Sequence, residues 1–350
     1  RLCKLSRGLG DVYKRQLWVR APVSLADRLD PRSLTGLLVQ RPKCPARRLT
    51  MTKTMERPMR VLLATDASDE ASYAEAWVSR LRWDRPCEIA VLCVATYGIS
   101  GLGWLREGDL SSGRTIMQQL RKAEVIAAER TANETGIRLQ EAGFLTRTIL
   151  RQGDVAEEVL ATIRSEAPDL VAVGRRGRSR VTQFLLGSVS RQVISETARP
   201  VLVAREPHRG EGPLPRSILI LLDGTDAGAS ATHWLASTGW AREAQVTLLG
   251  LLGNPTGIDQ EDPELVWQVA SMLREEAAAS LEGLAEQLAT HGAEVALESE
   301  GGHPVDAALQ SAERIEPDLI IVPRQHQGHD PFGEKIARYA KTTVVIAPEP

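Results

Sequence analysis

From Arg60 onward the chain alternates short apolar runs with longer stretches whose apolar residues return every three or four positions. The runs Arg60–Thr65 (RVLLAT), Ile89–Ala95 (IAVLCVA), Leu145–Leu150, Leu170–Val173 and Val201–Ala204 predict strands, the fully apolar ones buried on both faces of a parallel sheet. Helices are predicted between them. Ala71, Ala74, Trp77, Val78 and Leu81 trace one helix face, and residues 114–142 form a long charged helix closed by Gly143. Asp154 followed by Glu157 makes a capping-box-like pair at the start of another. Val189, Val193, Ile194 and Ala198 define a last helix, with Ser188 at its N-cap position and Pro200 beyond its end. The glycine-rich stretch from Tyr97 to Gly113 has no period and is expected to be a long loop or a lid.

The pattern then repeats. Ser217–Asp223 (SILILLD) matches Arg60–Asp66 at an offset of 157, Val246–Leu252 is a second strand, and 263–291 is again a long helix. Gly153 to Asp169 and Gly302 to Asp318 both span sixteen residues, and DLVAV in the first copy becomes DLIIV in the second. Strands alternating with helices predict an open, doubly wound parallel sheet. Two tandem α/β domains of one fold follow, residues 56–206 and 216–350, joined by a Pro- and Gly-containing linker at 207–215.

The stretch from Asp169 to Val203, DLVAVGRRGRSRVTQFLLGSVSRQVISETARPVLV, carries the candidate chemistry. Glycines after a strand admit a phosphate close to the backbone, because no Cβ intervenes. A helix start adds free N–H groups and the positive end of a dipole. The spacing Gly174-x2-Gly177-x9-Gly187-Ser188 resembles the nucleotide loop of the universal stress protein family, in its ATP-binding branch. That resemblance covers about residues 57–348. It implies an α/β/α fold of the Rossmann-like, adenine nucleotide alpha hydrolase-like type, with five parallel strands per domain and pairing through the last strand. Tandem copies would form that pair within one chain, leaving a further homodimer open. It also implies ATP, with or without Mg²⁺, in a pocket built from Thr65, Asp66, Val94, Val173, Gly174, Gly177, Gly187, Ser188 and Val189. Asp66 would meet the adenosine moiety and Val94 the adenine, while the glycines, Ser188 and Val189 would surround ribose and phosphates.

On the residues alone, blander readings stand beside these. Asp66 also suits helix capping, Val94 plain core, and the whole loop a glycine-rich turn that binds nothing. Arg175, Arg176, Arg178 and Arg180 form a basic loop tip, suited to phosphate or to solvent.

The second copy departs from the pattern. Asp169 to Val201 spans 32 residues, but Asp318 to Val344 spans 26. Pro323 replaces Gly174, and Gly333-Glu334 is expected where Gly-Ser would be, setting a carboxylate against any phosphate. Nucleotide binding is therefore expected in the first domain only.

Composition narrows the partners. The chain is 43% hydrophobic and 25% charged with net charge −2, while aromatics make up 4%. That disfavours stacking platforms for single-stranded nucleic acid. Residues 1–50 hold twelve Lys+Arg against three Asp, so the rest carries −11, which disfavours nucleic acid overall. The opening RLCKLSRGLGDVYKRQ resembles translated adapter sequence; residues 1–55 are expected to be an extension that is non-native or disordered, with a start at Met51 or Met55. No apolar run reaches about 18 residues, so no membrane span is expected. Four cysteines without metal spacing suit a reduced, cytoplasmic setting.

His326, His329 and Asp330 lack a fixed scaffold, and no metal is expected there. Signatures of phosphate-loop, zinc-protease, hydrolase and dinucleotide enzymes are missing from the sequence, so no catalytic residues are expected. The reading is a nucleotide-responsive stress regulator with regulatory protein partners still to be found. A slow ATPase on the same fold and a nucleotide-free interaction module are its rivals.

Overall fold

The computed structural model describes residues 17–18, 57–96, 110–177, 186–207, 210, 212–252, 263–325 and 330–349. A two-residue strand, β1 (Leu17–Trp18), precedes two similar halves. The first runs β2 (Met59–Ala64), α1 (Asp69–Arg80), β3 (Cys87–Ala95), α2 (Leu110–Glu141), β4 (Leu145–Gln152), α3 (Val155–Glu166), β5 (Leu170–Gly174), α4 (Ser188–Glu196) and β6 (Val201–Ala204). The second runs β7 (Ser217–Leu222), α5 (Asp226–Thr238), β8 (Gln245–Leu252), α6 (Pro263–Thr290), β9 (Glu294–Gly301), α7 (Pro304–Ile315), β10 (Leu319–Val322), α8 (Pro331–Tyr339) and β11 (Thr343–Ile346). The long helix α2 begins at Leu110, ahead of the expected residue 114, so Gly113 lies inside it. The remainder of the expected lid, residues 97–109, lies outside the described residues.

Elements form where the apolar pattern can be buried. The inner strands β5, β6, β7, β10 and β11 are buried at every position, as strands covered on both faces must be. Helix α1 starts at Ser68, whose hydroxyl accepts from the Ala71 amide, and it buries Ala71, Ala74, Trp77 and Val78. Asp154 caps α3 through the amides of Ala156 and Glu157. The repeated aspartate has a structural task as well. Asp169 accepts from the Arg60 amide at 2.9 Å, and Asp318 from the amides of Arg216 and Ser217 at 2.8 and 3.1 Å. Each fixes the start of one strand against its neighbour.

Among the described residues the strands form a single sheet in the order β1-β9-β8-β7-β10-β11-β6-β5-β2-β3-β4. Within each half all pairs are parallel, and strand order reverses between β2 and β5 and between β7 and β10. Such reversals open a crevice beyond the carboxyl ends of the strands. The halves join through β6 and β11, antiparallel, with Val203 opposite Val344 and Val201 opposite Ile346. At one edge, β1 lies antiparallel to β9. One apolar layer lies on each face of the sheet, and both draw side chains from the two halves. No helix among the described residues is long and apolar enough to cross a membrane.

Candidate functional site

The reversal point of the first half brings three segments together: the end of β2, the end of β5 and the start of α4. Thr65 is held in line by its amide, which donates to the Leu92 carbonyl at 2.9 Å. Asp66 follows. Its Oδ1 accepts from the Ser68 amide at 3.0 Å and from the Ser68 hydroxyl at 2.5 Å. Ser68, not Asp66, is the N-cap of α1. The aspartate instead orients the capping hydroxyl from two residues upstream, which fixes the direction of its carboxylate. Val94, one strand further out, is half-buried near the end of β3 and packs on the apolar layer that also contains Val173 and Leu186.

The glycines are explained by close approach. A Cβ on Gly177 would lie 2.6 Å from Asp66 Oδ2. A Cβ on Gly187 would lie 3.2 Å from the Arg175 carbonyl oxygen and 3.3 Å from the Arg176 Cα. Gly174 has a different reason. Its Cβ would meet the Glu70 carbonyl carbon and oxygen at 2.7 Å, so it lets β5 abut the first turn of α1. Two of the three glycines thus draw the loop against Asp66 and against its own stem, and the third seats the strand.

The loop is closed at its base. The Gly187 amide donates to the Arg175 carbonyl at 2.9 Å, and the Ser190 hydroxyl donates to the Gly174 carbonyl at 2.8 Å. Residues 178–185 between these anchors lie outside the described residues, and the expected loop-tip residues Arg178 and Arg180 fall there. Ser190 is 3% exposed and was not among the sequence candidates. A signal was available: it precedes Val193 and Ile194 by three and four residues, which places it on the inward face of α4.

Two sequence expectations about the loop need correction. Gly187, with φ −62° and ψ 152°, is the N-cap of α4, and Ser188 is its first helical residue, exposed. Gly187 donates its own amide to the loop stem, which moves the helix start one residue back. Arg175 is no tip residue either. It follows β5 directly and is 5% exposed, whereas Arg176 is half-buried. Nearby, Glu70 is held above its ordinary carboxylate value by burial, against the pull of Arg176 and Arg205. Burial also lowers Arg205, to about 10.

The second half keeps the crevice but changes its chemistry. Asp223 follows β7 as Asp66 follows β2, and its Oδ1 accepts from the Thr225 amide and hydroxyl at 3.1 and 2.6 Å. A cavity of about 480 Å³ opens there, with Asp223, Asp226 and Glu276 in its lining. The expected Gly333-Glu334 register is wrong. Helix α8 begins at Pro331, and its N-cap is Asp330, whose carboxylate accepts from the Gly333 amide at 2.8 Å. Asp330 therefore takes the place of Gly187, while Glu334 sits a turn further on, paired with Arg338 at 2.9 Å. Thirteen positions separate Gly174 from Gly187, but seven separate Pro323 from Asp330, so the shortening falls before the helix start. An aspartate before proline is itself a helix-start signal, which the sequence carried. A buried carboxylate of the chain thus fills the anion position of α8, and prolines at 323 and 331 remove two N–H donors. His326 and His329 lie outside the described residues.

Comparison with known proteins bears on the family and the fold. The family described as the universal stress protein family matches residues 58–205 and 215–348. Universal stress protein YxiE of Bacillus subtilis is 26% identical over 152 residues, covering 42% of this chain and 98% of that protein. A universal stress protein from Archaeoglobus fulgidus superposes with a TM-score of 0.54 at 20% identity, covering 83% of this chain and 98% of the other. A putative universal stress protein from Pseudomonas aeruginosa gives 0.51 at 13% identity, covering 84% and 94%. These two structures share the fold across both halves.

Proposed function

The chain belongs to the universal stress protein family, and on that premise we propose that its first domain binds ATP while its second does not. The adenosine end of the nucleotide lies against Thr65, Asp66, Val94 and Val173. The phosphates lie between Gly174, Gly177 and the first turn of α4, at Gly187, Ser188 and Val189. Any Mg²⁺ is carried by the phosphates, since Asp66 Oδ1 is already occupied by Ser68. Bound nucleotide changes the surface around the start of α4, and the altered surface is what regulatory proteins recognise in a stress response. The setting is cytoplasmic and reducing, consistent with Cys87 and Cys93 as buried thiols outside any disulfide.

The observation that carries this reading is the approach of Gly177 to Asp66. A 2.6 Å distance from a Cβ to a carboxylate oxygen leaves room for no other residue at 177 without moving Asp66. The loop backbone, the strand-end carboxylate and the helix start therefore share one crevice at a sheet reversal, where ligands of open α/β folds bind.

Titration calorimetry with ATP on the parent chain and on Gly187→Asp tests the reading. The variant gives α4 the N-cap that α8 already has. The parent should bind and the variant should lose at least tenfold in affinity, about 1.4 kcal/mol. Equal affinity in a variant that melts like the parent would remove the phosphates from α4.

A further inference from the structure

An arginine crosses from the second half into the first. Arg324 lies two residues past β10, after Pro323, and is 1% exposed, among the largest fully buried side chains of the described residues. Its guanidinium donates to the Ile194 carbonyl at 2.6 Å and to the Arg199 carbonyl at 3.3 Å, while its Nε donates to the Ala347 carbonyl at 3.3 Å. Ile194 lies in the last turn of α4, where carbonyls have no partner within the helix. A cation there also meets the negative end of the helix dipole.

The arrangement is reciprocal. Arg205, just after β6, donates to the carbonyls of Ala337 and Arg338 at 3.4 and 3.1 Å, in the last turn of α8. Each half thus closes the carboxyl end of the helix that faces the other half's crevice. The two helices also pack on one another beside the β6–β11 junction.

We propose that Arg324 is a positioning residue for the nucleotide site of the first domain, so that the second domain, closed to phosphate itself, tunes the affinity of the first. This rests on the nucleotide reading given above. Helix α4 has nine residues and spans about 13 Å, a short rigid rod held at both ends. Ser190 and Gly187 tie its start to the end of β5, and Arg324 ties its end to the second half. Releasing the far end lets the rod tilt. Its first-turn amides then no longer converge where Gly177 brings the loop against Asp66.

The test uses the full chain in four forms: parent, Arg324→Met, Arg324→Lys and Val345→Ala. Val345 is fully buried in β11 opposite Leu202, so its truncation weakens the same junction without touching α4. ATP affinity should fall three- to tenfold in Arg324→Met and recover in part in Arg324→Lys. It should stay within twofold of the parent in Val345→Ala, even where the two variants melt alike. Amide exchange should quicken across 187–196 in Arg324→Met before any nucleotide is added, and not in Val345→Ala. Equal losses of affinity in the methionine and alanine variants would overturn the proposal, leaving Arg324 a general interface residue. Unchanged exchange in α4 would overturn it also. If the parent bound no ATP, the nucleotide reading would fall, and the exchange comparison would still decide whether Arg324 holds α4.

Discussion

Gly174 and Gly177 belong to one motif, yet their surroundings assign them opposite sensitivities. An alanine at 174 drives its Cβ into the Glu70 peptide at 2.7 Å, and backbone within a helix cannot yield. Gly174→Ala should cost about 1–3 kcal/mol in unfolding free energy, the usual scale of overpacking, measured by urea denaturation. Gly177 is exposed, and its Cβ meets only the tip of Asp66. Gly177→Ala should therefore leave the unfolding free energy within about 0.5 kcal/mol of the parent while weakening ATP binding. A variant pair with the two effects exchanged would contradict the assignment. The sequence showed the glycine spacing but not this division of labour, which depends on what stands opposite each residue across the sheet.

Glu70 adds a pH dependence with a definite sign. Burial raises its folded-state pKa above the ordinary 4.5, so between that value and the raised one the folded chain holds more protons than the unfolded one. Its contribution to stability must then fall as pH rises through this interval. Denaturation midpoints of the parent and Glu70→Gln, compared from pH 4.5 to neutrality, should show a relative loss in the parent as pH rises. A relative gain would mean that attraction to Arg176 and Arg205 outweighs burial.

At the scale of elements, α4 and α8 are the same nine-residue helix with different starts. One begins with a glycine pressed against the loop stem, with no side chain to cap the helix, the other with an aspartate that caps its own amides. Asp330→Ala should cost about 0.5–2 kcal/mol, as loss of a side-chain cap does, and should not create an ATP site, because Pro323 and Pro331 still withhold their N–H groups. Calorimetry and urea denaturation of that one variant address both points. Most elements were legible in advance because strands buried on both faces must be apolar throughout, and Leu170–Val173 or Val201–Ala204 satisfy nothing else. The ends were less legible. Ser188 looked like a cap because serine commonly is one, but the closure of the loop from Arg175 to Gly187 set the start one residue earlier. In the second copy Gly-Glu resembles Gly-Ser, but the Asp-Pro pair marks the helix start. Arg324 and Ser190 were not singled out, since their value lies in carbonyls that only the folded chain brings within reach.

The whole molecule is a single sheet rather than two beads on a linker. Each apolar layer contains residues of both halves, and Trp83 of the first packs edge-on against Trp240 of the second at 5.8 Å. Unfolding should therefore be cooperative across the halves, with tryptophan fluorescence and far-ultraviolet circular dichroism giving coincident transitions in urea. Two separated transitions would show that the β6–β11 junction couples the halves weakly. Through that junction the second half gives the first a partner strand, a share of the core and the arginine at the end of α4.

In the proposed function, one crevice of this pair holds a nucleotide and the other is closed by Asp330. The most direct test is the stoichiometry of ATP bound to the full chain, from calorimetry together with quantitation of the adenine nucleotide released on denaturation. The expected result is one nucleotide per chain, lost in Gly187→Asp and kept in Asp330→Ala. Two per chain would contradict the closed second crevice, and none, in a folded chain, would contradict the nucleotide site itself.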